Sequence, residues 1–363
     1  MLLYFVCLFM GVFSAIIRYR ALIGEACLDD RKEGRYRRPE GDLLMICDVA
    51  FFTTNKVPLR YSNHIPEITL AYETYGELNP AKDNALLVIH GFSSGSHVAA
   101  HNTADVTGWW EWAVGPGKPL DTNRYFIVCA NNFGGCFGST GPVFPPPAIA
   151  DIVFCQQQLQ AELGIDRWYA VIGGSLGGMA VLEWLVSYPE KIQRAVCLNA
   201  GAKLSFIGQG LLDIQEEIIR AMPDNGLKLA RRLANLSYVG EEFFTYQQST
   251  NPDWQLGCFL KAEEDMFASG FNCDSYLGFL QAMRRYELKL RNSPLAACSF
   301  KPSVFLAGCV EDILFPVGII EETNLQLGPF AAINKIIVNS KYGHDAFLMD
   351  ELLYSRILRS FLS

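Results

Sequence analysis

Six apolar runs constrain this chain more than any other feature of it. They are ALLVIH (85–90), RYFIVCAN (124–131), WYAVIGG (168–174), IQRAVCLNA (192–200), SVFLAGC (303–309) and INKIIVNS (333–340). Each is nearly continuous rather than alternating, as a strand reads when both of its faces are covered. Helix-period segments fall between them: residues 149–164 ending at Gly164, residues 178–189 closed by Pro189, and an amphipathic run over 344–362. The pattern predicts a mostly parallel sheet with helices on both faces. Upstream, LLMICDVAFF and EITLAYETYG read as two more strands, joined through the turn-like TTNKVPLRYSNHIP.

Between 201 and 300 the strand signal disappears. LLDIQEEIIRAM, GLKLARRLANLSYV and CDSYLGFLQAMRRYEL are all helix-like. The expected organisation is a core of residues 40–200 and 301–363, interrupted by a helical lid insertion over 201–300. Residues 1–24 precede it as an apolar segment. MLLYFVCLFMGVFSAII is apolar for 17 residues and then meets Arg18 and Arg20. That is near the lower limit for a membrane span and lacks the basic start of a signal peptide. Signal anchor, cleaved signal and plain tail all stay open, and with them a cytoplasmic or membrane-anchored location.

Charge excludes one class of partner. With 38 acidic and 30 basic groups the net charge is −8, and the only basic cluster, residues 31–38, is short. No nucleic-acid partner is expected. The 11 cysteines contain no CxxC and sit mostly in apolar runs, so they read as small buried hydrophobes in a reducing compartment. No metal is expected either. His64, His97 and His101 are irregularly spaced, and His97-x-x-x-His101 lacks the Glu of H-E-x-x-H.

Chemistry enters at GGSLGG, residues 173–178, which contains G-x-S-x-G between a strand and a helix. A serine on such a corner projects its hydroxyl above the sheet edge, and the flanking glycines let neighbouring backbone approach. Alone, the stretch also admits a phosphate cradle or a structural turn. It lacks the Lys-Ser/Thr of a P-loop and does not match G-x-G-x-x-G. What raises Ser175 is the order of its partners. A serine nucleophile needs a base, and the base an orienting carboxylate. His344, the only histidine after Ser175, follows the last strand; Asp312 follows the strand before it, with Glu311 as runner-up. An oxyanion hole would use the N–H groups of Leu176 and Phe92. His90 reads as support for the turn after ALLVIH.

These blocks resemble the homoserine O-acetyltransferase family of the α/β-hydrolase fold. The resemblance is carried by AYETYGELNPAKDNALLVIHG, WWEWAVGPGKPLDTNRYFIVCANNFGGCFGSTGP, VIGGSLGGMAVLEWLVSYPEKIQRAV, DILFP and YGHDAFL, and spans about residues 65–350. It implies ping-pong transfer of an acetyl or similar short acyl group from acyl-CoA to the hydroxyl of homoserine or serine. It implies no tightly bound cofactor and no metal, and it implies a homodimer paired through the insertion. Ser175 would be acylated, His344 the base and Asp312 its orienting acid. Asp345 would sit near the acceptor's amino group. The family places an arginine after an ITY-like stretch to hold the acceptor carboxylate. Here Val239 stands at that point, and Arg231 and Arg232 lie a few residues earlier. The rival expectation is an esterase or thioesterase with water as acceptor.

Overall fold

The structure is a computed structural model that describes residues 35–36, 45–46, 49–57, 59–60 and 65–362. The apolar N-terminal segment, most of the basic cluster and His64 lie outside the described residues. Eight strands form one sheet: β1 (Ala50–Val57), β2 (Ile65–Tyr75), β3 (Ala85–Ile89), β4 (Phe126–Ala130), β5 (Ala170–Gly174), β6 (Arg194–Leu198), β7 (Ser303–Cys309) and β8 (Ala332–Val338). Their order is β8-β7-β6-β5-β3-β4-β2-β1. β2 runs antiparallel to both β1 and β4, and every other neighbouring pair is parallel. The expected mostly parallel sheet is therefore observed.

The apolar runs are continuous because successive residues feed two different cores. Leu87 and Ile89 of β3 pack with helices α1 (Ile149–Glu162) and α2 (Leu176–Ser187). Leu86 and Val88 turn to the other face, against Trp109, Trp110 and the last helix, α10 (Glu351–Leu362). The two-residue side-chain period of a strand makes that division automatic.

Between β6 and β7 the chain forms five helices: α3 (Phe206–Ala221), α4 (Gly226–Tyr238), α5 (Glu241–Thr250), α6 (Leu256–Gly270) and α7 (Cys273–Arg285). Two are capped by side chains that sequence rules favour. Ser205 accepts from the Gly208 N–H at 2.9 Å, and Asn272 accepts from Asp274 and Ser275. Helix α8 (Val317–Leu327) then links β7 to β8. Among the described residues no helix is long and apolar enough to cross a membrane.

Two expectations are corrected. The first strand is not LLMICDVAFF. Met45–Ile46 pairs with Arg35–Tyr36, and β1 runs on through Thr53 and Thr54, residues read as a turn. Pairing with the long β2 overrides that local turn signal. The final helix is not continuous either. A short α9 (Ala346–Met349) ends at Asp350, whose carboxylate accepts from the Ser340 hydroxyl at 2.8 Å and from Leu353 N–H at the head of α10. A cap written inside an amphipathic run looks like one more polar residue.

Of the eight described cysteines, Cys129, Cys155, Cys197 and Cys309 are buried; Cys258 is exposed, so the expected burial holds for half of them.

Candidate active site

Ser175 stands between β5 and α2 with φ +55° and ψ −125°. A non-glycine residue there carries a strain of about 1–3 kcal/mol, which the surroundings must hold. They hold it by close packing. A Cβ on Gly177 would lie 2.2 Å from the Ile89 carbonyl oxygen, and one on Gly174 would enter the Phe347 ring at 2.4 Å. Only glycine lets β3 and the His344 loop approach this corner so closely. The Ser175 N–H is tied to the Leu198 carbonyl at 3.1 Å.

The loops after β7 and β8 meet the corner. His344 Nε2 lies 2.8 Å from Ser175 Oγ, and His344 Nδ1 lies 2.8 Å from Asp312 Oδ2. The other Asp312 oxygen accepts the N–H groups of Leu314 and Phe315, both at 2.9 Å. Glu311, the runner-up, turns away to the Ser340 N–H at 3.0 Å. All three members of the relay are buried. Burial pushes the His344 imidazole toward neutrality, but the charge and hydrogen bond of Asp312, with the charge of Asp345, outweigh it and raise its pKa.

Four residues that sequence reasoning passed over anchor His344. Asn199, at the end of β6 with φ +44°, donates to the Gly343 and His344 carbonyls at 3.1 and 3.0 Å. Tyr354 of α10 donates to the Asn199 side-chain oxygen at 2.6 Å. Trp110 and Trp112 donate to the carbonyls of Phe347 and Leu348. Asn199 was within reach of the strand-end rule that located Asp312 and His344.

The loop after β3 supplies the opposite wall. The Asn132 N–H donates to His90 Nε2 at 2.8 Å, so the His90 proton is on Nδ1, which donates to the Gly91 carbonyl at 2.7 Å. That bond fixes the turn carrying Phe92. Gly91, Phe92, Ser93 and Ser94 line a cavity over Ser175 together with Tyr238, His344 and Asp345. The Phe92 ring packs against Phe271, Tyr276 and Phe279, so the α6–α7 helices clamp this wall. Leu176 is the first residue of α2, where a helix leaves N–H groups open to negative charge.

Tyr238 and Asp345 also line a second cavity, with Asn235, Val239, Phe259, Glu263 and Met349. Arg231 is buried, its guanidinium over the rings of Phe267 and Tyr238 at 4.5 and 5.4 Å. Burial lifts the Asp345 carboxyl to about 6, against the pull of His344 and Arg231. It lifts Glu263 to about 7, against the pull of Arg231. Arg232 must be removed from the candidate site. It turns outward into a two-bond ion pair with Glu264, both contacts 2.6 Å, because adjacent helical residues point about 100° apart. Glu263 was missed: the sequence offered one more acid in a helix.

His97 and His101, irregular in spacing, come together in the fold. His97 Nδ1 and His101 Nε2 meet on Glu73 Oε2 at 2.9 and 3.0 Å, and Tyr75 and Ser96 donate to the same carboxylate. Three ligand-type atoms lie within 4.8 Å of one another there, each already engaged by hydrogen bonds. His97 Nε2 lies 2.8 Å from the Val106 carbonyl. Burial opposes the charged ring, but the Glu73 carboxylate and the Val106 carbonyl, one at each nitrogen, outweigh it and raise the His97 pKa. The third member, Glu73, is 24 residues away on β2, out of reach of any local motif.

Sheet order, serine corner and strand-end relay together define the α/β-hydrolase fold. The sequence profile described as "alpha/beta hydrolase fold" matches residues 84–316. A homoserine O-succinyltransferase of Neisseria gonorrhoeae is 32% identical over 365 residues, covering 87% of this chain and 96% of the relative. A homoserine O-acetyltransferase of Methanobrevibacter ruminantium is 34% identical over 357 residues, covering 86% and 72%. Among solved structures, esterase E22 superposes with a TM-score of 0.78 at 21% identity, covering 87% of this chain and 99% of that one. The homoserine O-acetyltransferase from Bacillus anthracis superposes with 0.77 at 24%, covering 87% and 97%. At those identities the structural likeness is one of fold. The sequence relationship goes further: the chain belongs to the family of homoserine O-acetyl- and O-succinyltransferases within the α/β-hydrolase fold.

Proposed function

We propose that this O-acyltransferase moves an acetyl or similar short acyl group from acyl-CoA to the hydroxyl of a small amino acid of the homoserine or serine type, through an acyl-Ser175 intermediate. The observation that carries the reading is the hydrogen-bonded line Ser175–His344–Asp312, with Asp345 beside it and the Glu263 carboxyl of α6 lining the same adjoining cavity as Asp345. The names of the 32–34% identical relatives support the same reaction class.

In the first half-reaction Ser175 Oγ attacks the thioester carbon and its proton passes to His344 Nε2. Negative charge on the carbonyl oxygen is met by the N–H groups of Leu176 and Phe92. The C–S bond then breaks, and the thiolate leaves with the proton from His344. In the second half the acceptor hydroxyl gives its proton to His344 and attacks the acyl carbon. Ser175 Oγ leaves and recovers that proton. Asp312 stays ionised and holds the imidazole in the working tautomer. Asp345 and Arg231 serve the amino and carboxylate groups of the acceptor. A homodimer through the helical insertion belongs to the same proposal, and Phe206 and Ile207, both exposed on α3, support it.

The test is mass spectrometry after mixing the protein with acetyl-CoA or succinyl-CoA and a panel of hydroxy amino acids. Acylated amino acid is the expected product. Release of free acid at one rate, with or without acceptor, assigns the acyl-enzyme to water and overturns transfer in favour of an esterase or thioesterase.

A further inference from the structure

The side cavity holds a buried acid that the reaction scheme leaves idle. Glu263 of α6 is 6% exposed and Asp345 is 8% exposed, and both line that cavity. Among the described residues neither carboxyl accepts a hydrogen bond or forms an ion pair within 4 Å. A buried carboxyl normally finds donors, because burial without them is expensive. Two such groups on one wall, beside a nucleophile, make a site short of donors. The nearby cation is Arg231, close enough to favour the ionised form of both acids and packed between two rings. An ammonium supplies the missing donors, three N–H groups on a cation that carboxyl oxygens attract.

We propose that Glu263 is a specificity-determining residue, whose carboxyl joins that of Asp345 in taking the ammonium group of the acceptor within this cavity. The inference rests on the acyl-transfer reading and adds to it a residue and a requirement. The acceptor must carry a cationic amino group, and a hydroxy acid without one is rejected. Rejection is strong, because such a molecule leaves buried polar groups unmatched.

The experiment compares homoserine with 4-hydroxybutanoate, the same chain without its amino group, as acceptors of the acetyl group from acetyl-CoA. Wild-type protein is expected to favour homoserine by roughly 100-fold or more in kcat/KM. Glu263→Gln keeps the shape and removes the charge; it is expected to cut that preference about tenfold, mainly through the KM of homoserine. Glu263→Asp recovers part of it. Glu264→Gln, next along α6 and paired with Arg232, leaves the preference where it was. Equal losses for both acceptors in Glu263→Gln, or an unchanged preference, would overturn the assignment while transfer itself stands. A wild-type protein that acylates Ser175 but passes the group only to water overturns the transfer reading, and this one with it.

Discussion

The relay and the side cavity sit shoulder to shoulder, yet they are built by opposite rules. Around Ser175, His344 and Asp312 the working atoms are wired. The imidazole is held at both nitrogens, both Asp312 oxygens are engaged, and the loop beneath is tied by Asn199 and Tyr354. Around Asp345 and Glu263 the carboxyls are buried without such partners, and their pKa values are lifted to about 6 and about 7. A group that must act identically on every turnover is organised in advance by the protein. A group that must recognise a ligand keeps its hydrogen-bonding capacity for that ligand. The supports differ too: the relay stands at strand ends of a close-packed sheet, whereas Glu263 and Arg231 stand on the helices that cover it.

The sharpest break of this contrast removes the hydroxyl. Ser175→Ala should fold normally and lose acyl transfer by about 10⁴-fold or more, read as product by mass spectrometry. Near-normal turnover would end the nucleophile assignment. Asp312→Asn comes next, with a loss on the order of 10³–10⁴-fold from a misheld tautomer, whereas Glu311→Gln, off the line, should stay within a few-fold of wild type.

The pH dependence of acylation sharpens the same side. His344 must be neutral to take a proton, and Asp312 holds its pKa above the ordinary 6.5. The rate should therefore fall as pH drops through a value above 6.5. A midpoint below 6.5 in stopped-flow acylation contradicts the Asp312 contact. Tyr354→Phe breaks the bond to Asn199, and should slow acylation about tenfold or less while leaving KM for the donor near its original value.

The side cavity breaks differently, through stability. Between pH 4.5 and about 7 the unfolded chain has lost the proton that native Glu263 still keeps. Stability should fall as pH rises through that window and level off above it, by at most about 3 kcal/mol. Glu263→Gln should remove that part of the slope in urea titrations at successive pH values, leaving the Asp345 part between 3.8 and about 6. A wild-type curve that is flat from pH 5 to 8 contradicts the burial of both acids. The smallest effect on activity belongs to Arg232→Ala: it leaves the buried Glu264 carboxyl without its two-bond partner, at a cost of about 1–3 kcal/mol of stability, but should leave acceptor KM unchanged.

Much of the reaction centre could be read before the fold was seen, and for definite reasons. GGSLGG has a steric signature that few other turns need. Asp312 and His344 follow apolar runs whose length and continuity mark strands. What stayed hidden depended on direction or distance. Arg231 and Arg232 are neighbours in sequence and point to different environments. Asn199 lies 144 residues from the Gly343 it braces. The meeting of His97 and His101 needed Glu73 from β2. Asp350 divides the terminal helix through a contact to Ser340 that hydrophobic periodicity does not register.

By itself the sequence determined the layered sheet, the serine corner and the order of its partners, because backbone sterics and hydrophobic period act over a few residues. Which acid faces the imidazole, which arginine is buried, and where two carboxyls meet in one cavity were decided only by the tertiary structure. Those outcomes depend on how helices settle over the sheet, and that is set by packing among residues far apart in the chain.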